Sequence, residues 1–229
     1  MRLLLFDIDG TLVLSGGAGA RAKARAFEDV FGVFDGLGSI SMAGRTDAWI
    51  VARMAAQHGL ECPEERLPLF RDTYVRYLSD EIQLPGPRKG VLPGVRALLD
   101  RLASRDDAYL ALLTGNFRRG AETKLKHFDL WRYFGTGAFG DHSHDRNGLL
   151  WDAMANVEAS GGPAVRASDV VIIGDTPLDI AVAVAGGARS LGVATGSYDV
   201  ETLLASGAEA ALPDLSDPEA VLNALNLAE

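Results

Sequence analysis

The sequence predicts an α/β fold, a doubly wound parallel sheet core carrying an inserted all-helical cap. Three observations lead there. Short, continuous apolar runs recur along the chain, helical patterns separate them, and the stretch from about 16 to 90 shows helices and no strand. Continuous rather than alternating runs are what parallel strands need, because helices cover both faces of their sheet.

The first run is "LLLFD" (3–7). The helical stretch follows. "AGARAKARAFEDVFG" repeats apolar residues at Ala20, Ala24, Phe27 and Phe31. "TDAWIVARMAAQHG" opens on a cap at Thr46 or Asp47 and closes at Gly59. "PLFRDTYVRYLSDEI" carries Leu69, Tyr74 and Leu78 before the "PGP" break at 85–87. "GGAG" at 16–19 and "LPGPRKGVLPG" at 84–94 have the composition of two hinges.

Strand and helix then alternate. Residues 94–104 put Val95, Leu98, Leu99 and Leu102 on one face, ahead of "YLALLT" (109–114). Ala121, Leu125 and Phe128 share a face over 120–128. "DVVIIGD" (169–175) precedes a helix over 177–185 with Ile180, Val182 and Val184. "RSLGVAT" (189–195) and "AALPDL" (210–215) complete the set. This alternation predicts a Rossmann-like core over 1–15 and 90–229, with the cap over 16–89.

Composition narrows the function. Of 229 residues, 22 are Lys or Arg and 31 Asp or Glu, a formal charge of −9. Such a chain lacks the basic footprint of nucleic-acid or anionic-membrane binding. The single Cys62 has no internal disulfide partner and reads as a small apolar filler. "MRLLLF" is too short for a signal segment and runs straight into Asp7 and Asp9, and no run approaches the ~18 apolar residues of a membrane span. A soluble cytoplasmic protein is expected, with its oligomeric state left open.

Ligands of open α/β sheets sit beyond the carboxyl ends of the strands. Polar residues collect there: Asp7 and Asp9 after the first run, Thr114, Gly115 and Asn116 after the second, and Asp175, Thr176 and Asp179 after the third. Oxygen ligands with no His or Cys among them suit a hard cation, Mg²⁺ above all. The ion would also make the paired carboxylates tolerable. Gly10 and Thr11 allow a tight turn whose N–H groups could face an anion.

Three motifs, "DIDGT" (7–11), "LLTGN" (112–116) and "GDTPLD" (174–179), resemble in order and spacing those of the haloacid dehalogenase (HAD) superfamily. The resemblance spans essentially the whole chain, cap included. It implies Asp7 as the nucleophile taking a phosphoryl group, and Asp9 as the acid for the leaving oxygen and then the base for water. It implies Mg²⁺ held by the Asp7 carboxylate, the Asp9 carbonyl and Asp175, with Asp179 in support. Gly10, Thr114, Gly115 and Asn116 would surround the phosphate. The family places a Lys upstream of its last acidic motif. Here Arg146 stands at comparable distance and is expected to serve as the fixed cation in its place, while Lys124, the rival for that part, lies much nearer Thr114. His142 and His144 on the neighbouring loop, without thiol partners, read as bland.

Asp9 argues against dehalogenation and phosphonate cleavage, whose family members lack that acid. A phosphatase is expected, with a sugar-phosphate mutase, or a non-catalytic binding protein on this fold, as alternatives. The "MAGRTDAW" break in the cap could bring Arg45 to clamp a second anionic group, such as the carboxylate of a small phosphoglycolate-like ester. In the competing reading, Thr46 and Asp47 merely cap the next helix and Arg45 is solvated.

Overall fold

The computed structural model describes residues 1–34, 36–38, 40–60, 64–141 and 146–227. Cys62, His142 and His144 lie outside the described residues. The chain begins with β1 (Arg2–Phe6), β2 (Val13–Leu14), and three helices, α1 (Ala18–Phe31), α2 (Asp47–Gln57) and α3 (Leu67–Glu81). It continues through β3 (Gly90–Val91), α4 (Val95–Ala103), β4 (Ala108–Thr114), α5 (Arg118–His127), β5 (Gly137–Phe139) and α6 (Leu149–Ala159). The last third holds β6 (Val170–Gly174), α7 (Pro177–Gly186), β7 (Arg189–Val193), α8 (Val200–Ala205), β8 (Ala210–Leu212) and α9 (Pro218–Ala224).

Six strands form one parallel sheet in the order β5-β4-β1-β6-β7-β8. β1 is central, pairing Leu4 with Leu110 on one side and with Val171 on the other. Its run is continuous because both faces are covered. Leu4 and Phe6 pack with the α4 leucines and with Leu125, while Leu3 and Leu5 pack with Leu150, Ala153 and Val157 of α6. The strand order reverses at β1, so a crevice opens beyond its carboxyl end. There Asp7 and Asp9 emerge.

A separate apolar cluster joins α1, α2 and α3 through Phe27, Met54, Phe70, Tyr74 and Leu78, with Phe117 reaching in from the sheet domain. The two connections to these helices cross side by side. A Cβ on Gly86 would stand 2.2 Å from the Gly16 carbonyl oxygen, so the crossing admits no side chain there. β2 and β3 pair antiparallel where the chain leaves and re-enters the sheet domain.

Several expectations need correction. The edge strand β5 is only three residues, "GAF", too short to show a period. The last run ends as a strand at Leu212, since Pro213 has no N–H for a ladder. The buried stripe of α1 is Ala18, Ala22, Ala26 and Phe27, rotated from Ala20 and Ala24, which are half-buried. In α3 the buried row is Phe70, Tyr74 and Leu78, and Leu69 beside it is exposed. In α7 Val184 is likewise exposed, one position past the buried Ala183. Among the described residues, no helix is long and apolar enough to cross a membrane.

Candidate active site

Beyond β1, β4 and β6 lies a cavity of about 340 Å³, bordered on its far side by residues of α1 and the 42–45 loop. Asp7, Asp9, Gly10, Gly115, Asn116, Arg146 and Asp175 all border it, so the three strand ends converge on one cavity. Thr114 is fully buried just beneath.

Two groups of charges occupy the rim. The first is acidic. Oxygens of Asp7, Asp175 and Asp179 lie within 4.8 Å of one another. Arg146 Nη2 donates to Asp7 Oδ1 at 3.1 Å and also to Asp179 Oδ1, and Nη1 donates to the Gly44 carbonyl at 3.0 Å. One guanidinium thus serves two carboxylates and a loop above the site. Asp179 completes a capping box, its Oδ2 accepting from the Thr176 N–H at 3.1 Å and hydroxyl at 2.7 Å. Asp175 has Thr11 Oγ1 as a donor at 3.1 Å.

Three carboxylates against one guanidinium leave negative charge in excess. Burial pushes the Asp7 carboxyl well above the usual carboxylate range; Arg146 opposes the shift, while Asp179 and Asp9 add to it. Burial raises Asp175 too, with Asp7 and then Asp179 reinforcing it.

The second group centres on Asp9. Its Oδ2 accepts from Lys124 Nζ at 2.5 Å and from Asn116 Nδ2 at 2.9 Å, and Lys124 also donates to Asn116 Oδ1 at 2.7 Å. The surrounding protein alone would raise Asp9, but the Lys124 charge and these hydrogen bonds outweigh that and hold it below its usual value. Asn116 donates its backbone N–H and its Nδ2 to Thr114 Oγ1, at 3.3 and 2.8 Å. Both contacts use hydroxyl lone pairs, leaving the Thr114 O–H free to donate elsewhere.

The N–H groups of Gly10 and Thr11 do not face an anion. The turn consumes them, with Gly10 N–H donating to Val13 O at 2.9 Å and Thr11 N–H to Ile8 O at 3.3 Å. Gly10 instead makes room: at φ +93° a Cβ would stand 2.3 Å from Asp175 Oδ2. Gly10→Ala should therefore cost about 1–3 kcal/mol of stability and displace Asp175, lowering activity more than tenfold. Gly187→Ala is the control, because Gly187 also has positive φ (+69°) but open space around it. It should lose stability alone. Equal activity in the two variants, read beside thermal unfolding, would show that the close approach to Asp175 is unimportant.

Arg45 is exposed, its guanidinium carbon 4.5 Å from the centre of the Trp49 ring, yet it borders the cavity mouth. Thr46 caps α2, accepting from the Trp49 N–H. Asp47 does more than cap. It is buried, pairs with Lys23 Nζ at 2.9 Å, and accepts from the Phe117 N–H at 2.9 Å.

Sequence reasoning passed over Lys23 and named Lys124 only as the rival cation to Arg146. Each had a signal. Lys124 interrupts the apolar face of Ala121 and Leu125, and Lys23 lies between Ala22 and Ala26. A lysine on a buried stripe needs a buried partner.

A model of the haloacid dehalogenase-like hydrolase family matches residues 1–187. A phosphoglycolate phosphatase of Rhodospirillum rubrum is 28% identical over 218 residues, covering 94% of this chain and 88% of its own. Among solved structures, a hydrolase from Pseudomonas syringae superposes with a TM-score of 0.71 at 21% identity, covering all of both chains. A haloacid dehalogenase-like hydrolase from Streptococcus pneumoniae gives a TM-score of 0.62 at 19% identity over 97% of each chain. At such identities the structural likeness concerns the fold, while the family match takes in β1, β4 and β6 and the site at their ends. The chain belongs to the haloacid dehalogenase-like hydrolases.

Proposed function

We propose that this hydrolase is a Mg²⁺-dependent phosphatase of small anionic phosphomonoesters, working through a phosphoryl group carried on Asp7. The observation that carries the reading is the division of labour between two carboxylates two residues apart. Asp7 sits in the acidic group with Arg146, whereas Asp9 is drawn away by Lys124 and Asn116. Environments that differ this much let the two carboxylates take different parts, provided a cation bound at Asp7 and Asp175 offsets the burial that favours protonated Asp7.

The cation fits the residues present. Asp7, Asp175 and the Asp9 carbonyl offer only oxygen, and the buried carboxylates exceed the cations that face them. Gly196 as well as Gly10 is kept bare beside Asp175, where a Cβ would come within 1.8 Å of Oδ2. Bound there, Mg²⁺ would neutralise charge on the phosphoryl oxygens and on the attacking carboxylate. The need is large, since a like-charge pair at 4 Å repels by about 4 kcal/mol at an effective dielectric of 20.

In the first half-reaction an Asp7 oxygen forms a bond to phosphorus and the ester P–O bond breaks. Asp9 supplies the proton for the leaving oxygen, having first taken one from the substrate phosphate monoanion or from solvent, because Lys124 and Asn116 favour its ionised form. In the second, Asp9 takes a proton from water as its oxygen attacks phosphorus, the P–O bond to Asp7 breaks, and inorganic phosphate leaves. The Thr114 hydroxyl is free to donate to a phosphoryl oxygen, Arg146 holds Asp7 in place, and Gly115 and Asn116 wall the phosphate site. The helices α1–α3 act as a lid over residues 1–15 and 90–229, excluding leaving groups too large for the chamber. Arg45 at the mouth favours anionic esters. Similarity to the R. rubrum phosphatase supports a phosphoglycolate-like substrate.

A panel of phosphomonoesters tests this. Phosphate release should depend on Mg²⁺, vanish on chelation and return on adding the ion back, with a hexose phosphate yielding free sugar rather than a rearranged phosphate. Turnover surviving exhaustive chelation, or rearrangement without release, would overturn it.

A further inference from the structure

We propose that Lys23 reads the substrate beyond its phosphoryl group, its ammonium donating to a carboxylate a few bonds from the ester oxygen. The proposal rests on the phosphatase reading and names the group that selects among phosphomonoesters.

Lys23 projects from α1 into the cavity floored by the sheet domain, and its side chain is 6% exposed. A buried ammonium is costly unless its donors are used. Only Asp47 pairs with it among the described residues, at 2.9 Å, and its remaining face lies 4.8 Å from the centre of the Tyr74 ring. An ammonium has three N–H donors, so Asp47 leaves two without an acceptor among the described residues. Lys124 differs, with Asp9 and Asn116 as acceptors.

Gly19, one helical turn before Lys23, leaves a slot open between these lysines. A Cβ there would be 3.4 Å from Lys124 Nζ and 3.8 Å from Tyr74 Oη. That hydroxyl is itself fully buried and has no partner among the described residues. The slot therefore holds unused donors beside Asp9, where the leaving oxygen departs.

The carboxylate oxygens nearest the slot are engaged, Asp9 Oδ2 by Lys124 and Asn116. Both oxygens of Asp47 are engaged, one by Lys23 and the other by the Phe117 N–H, and the Asp47 N–H is bound to the Gly115 carbonyl at 2.7 Å. Asp47 thus locks Lys23 to the loop that follows β4. A donor-rich, acceptor-poor wall suits a carboxylate, which only accepts. A polyol would bury hydroxyl hydrogens without partners. Arg45 and Arg88 at the cavity mouth add positive charge along the approach.

The test compares 2-phosphoglycolate, an aryl phosphate and a hexose phosphate in the Mg²⁺-loaded protein. Lys23→Met should lower kcat/KM for 2-phosphoglycolate by about 100-fold, as expected for a lost charge-assisted hydrogen bond. The loss on the aryl phosphate should be at least tenfold smaller, and Lys23→Arg should recover most of the lost selectivity. Lys23→Gln, which keeps an N–H for Asp47, covers the case in which the methionine variant misfolds, and it should show the same selective loss. Equal losses on both substrates would make Lys23 structural, and no loss on either would remove it from the site. If the unaltered protein cleaves aryl and hexose phosphates but not 2-phosphoglycolate, the carboxylate proposal fails while the phosphatase reading stands. If it cleaves no phosphomonoester, that reading itself fails.

Discussion

Asp7→Asn is expected to reduce turnover of every phosphomonoester by a factor on the order of 10⁴ or more while leaving the protein at least as stable. The activity loss follows from chemistry, because an amide oxygen cannot carry the phosphoryl group as a carboxylate does. The stability expectation follows from the site's charge balance. Asp7 is buried beside Asp175 and Asp179, and burial with like-charged neighbours disfavours its ionised form. The asparagine removes a charge the fold accommodates poorly but keeps an oxygen for Arg146 Nη2. Arg146 retains Asp179, so no charge is orphaned. Thermal unfolding without divalent cation should therefore show an unchanged or higher midpoint, the pattern of a site that trades stability for function. Aryl phosphate turnover within tenfold of the unaltered protein would place the nucleophile elsewhere. A large fall in Tm would show that Asp7 is held in place for structural reasons instead.

Much of this site was legible because strand ends in a parallel sheet are marked twice. An aliphatic run stops, and polar residues that a buried strand could not tolerate begin, as at Phe6–Asp7 and Gly174–Asp175. The helix after the linker was equally plain, since Val95, Leu98, Leu99 and Leu102 form one buried stripe. Arg146 stood out as a cation upstream of the third motif, and the structure brings its guanidinium to Asp7 and Asp179. What escaped reading depended on tertiary contact. Three residues of β5 carry no periodicity, and alanine-rich α1 offers several equally plausible stripes. The pairing of Lys23 with Asp47 joins residues from two helices, a separation no local pattern encodes. The expectation that Gly10 and Thr11 present N–H groups failed for a local reason, because a turn that tight spends its own donors.

Asp9→Asn should divide the reaction in two. In the proposed reaction Asp9 serves once as acid and once as base, so its loss should act differently on different leaving groups. An aryl oxide departs without a proton, and with such a substrate the attack by Asp7 should remain fast. The water that follows still needs a base. Rapid mixing should therefore show a burst of aryl oxide approaching one equivalent per protein, then turnover slowed by roughly 10²- to 10⁴-fold. The phosphoryl group should be recovered on the Asp7 peptide by mass spectrometry of the quenched protein. An alkyl phosphate, whose leaving oxygen needs the proton, should give no burst and a slow first step. The variant should fold. Lys124 loses a carboxylate, and stranding a buried ammonium can cost about 3–5 kcal/mol. Here the amide oxygen still accepts, Asn116 Oδ1 remains at 2.7 Å, and the Asp9 side chain is 39% exposed, so water reaches the gap. The expected cost is accordingly smaller. A uniform loss on aryl and alkyl esters with no burst would show that Asp9 supports the site's shape without carrying the proton. A burst with phosphate trapped on Asp7 would fix both roles in one experiment, because only a base missing from the second step lets the first run to completion and stop.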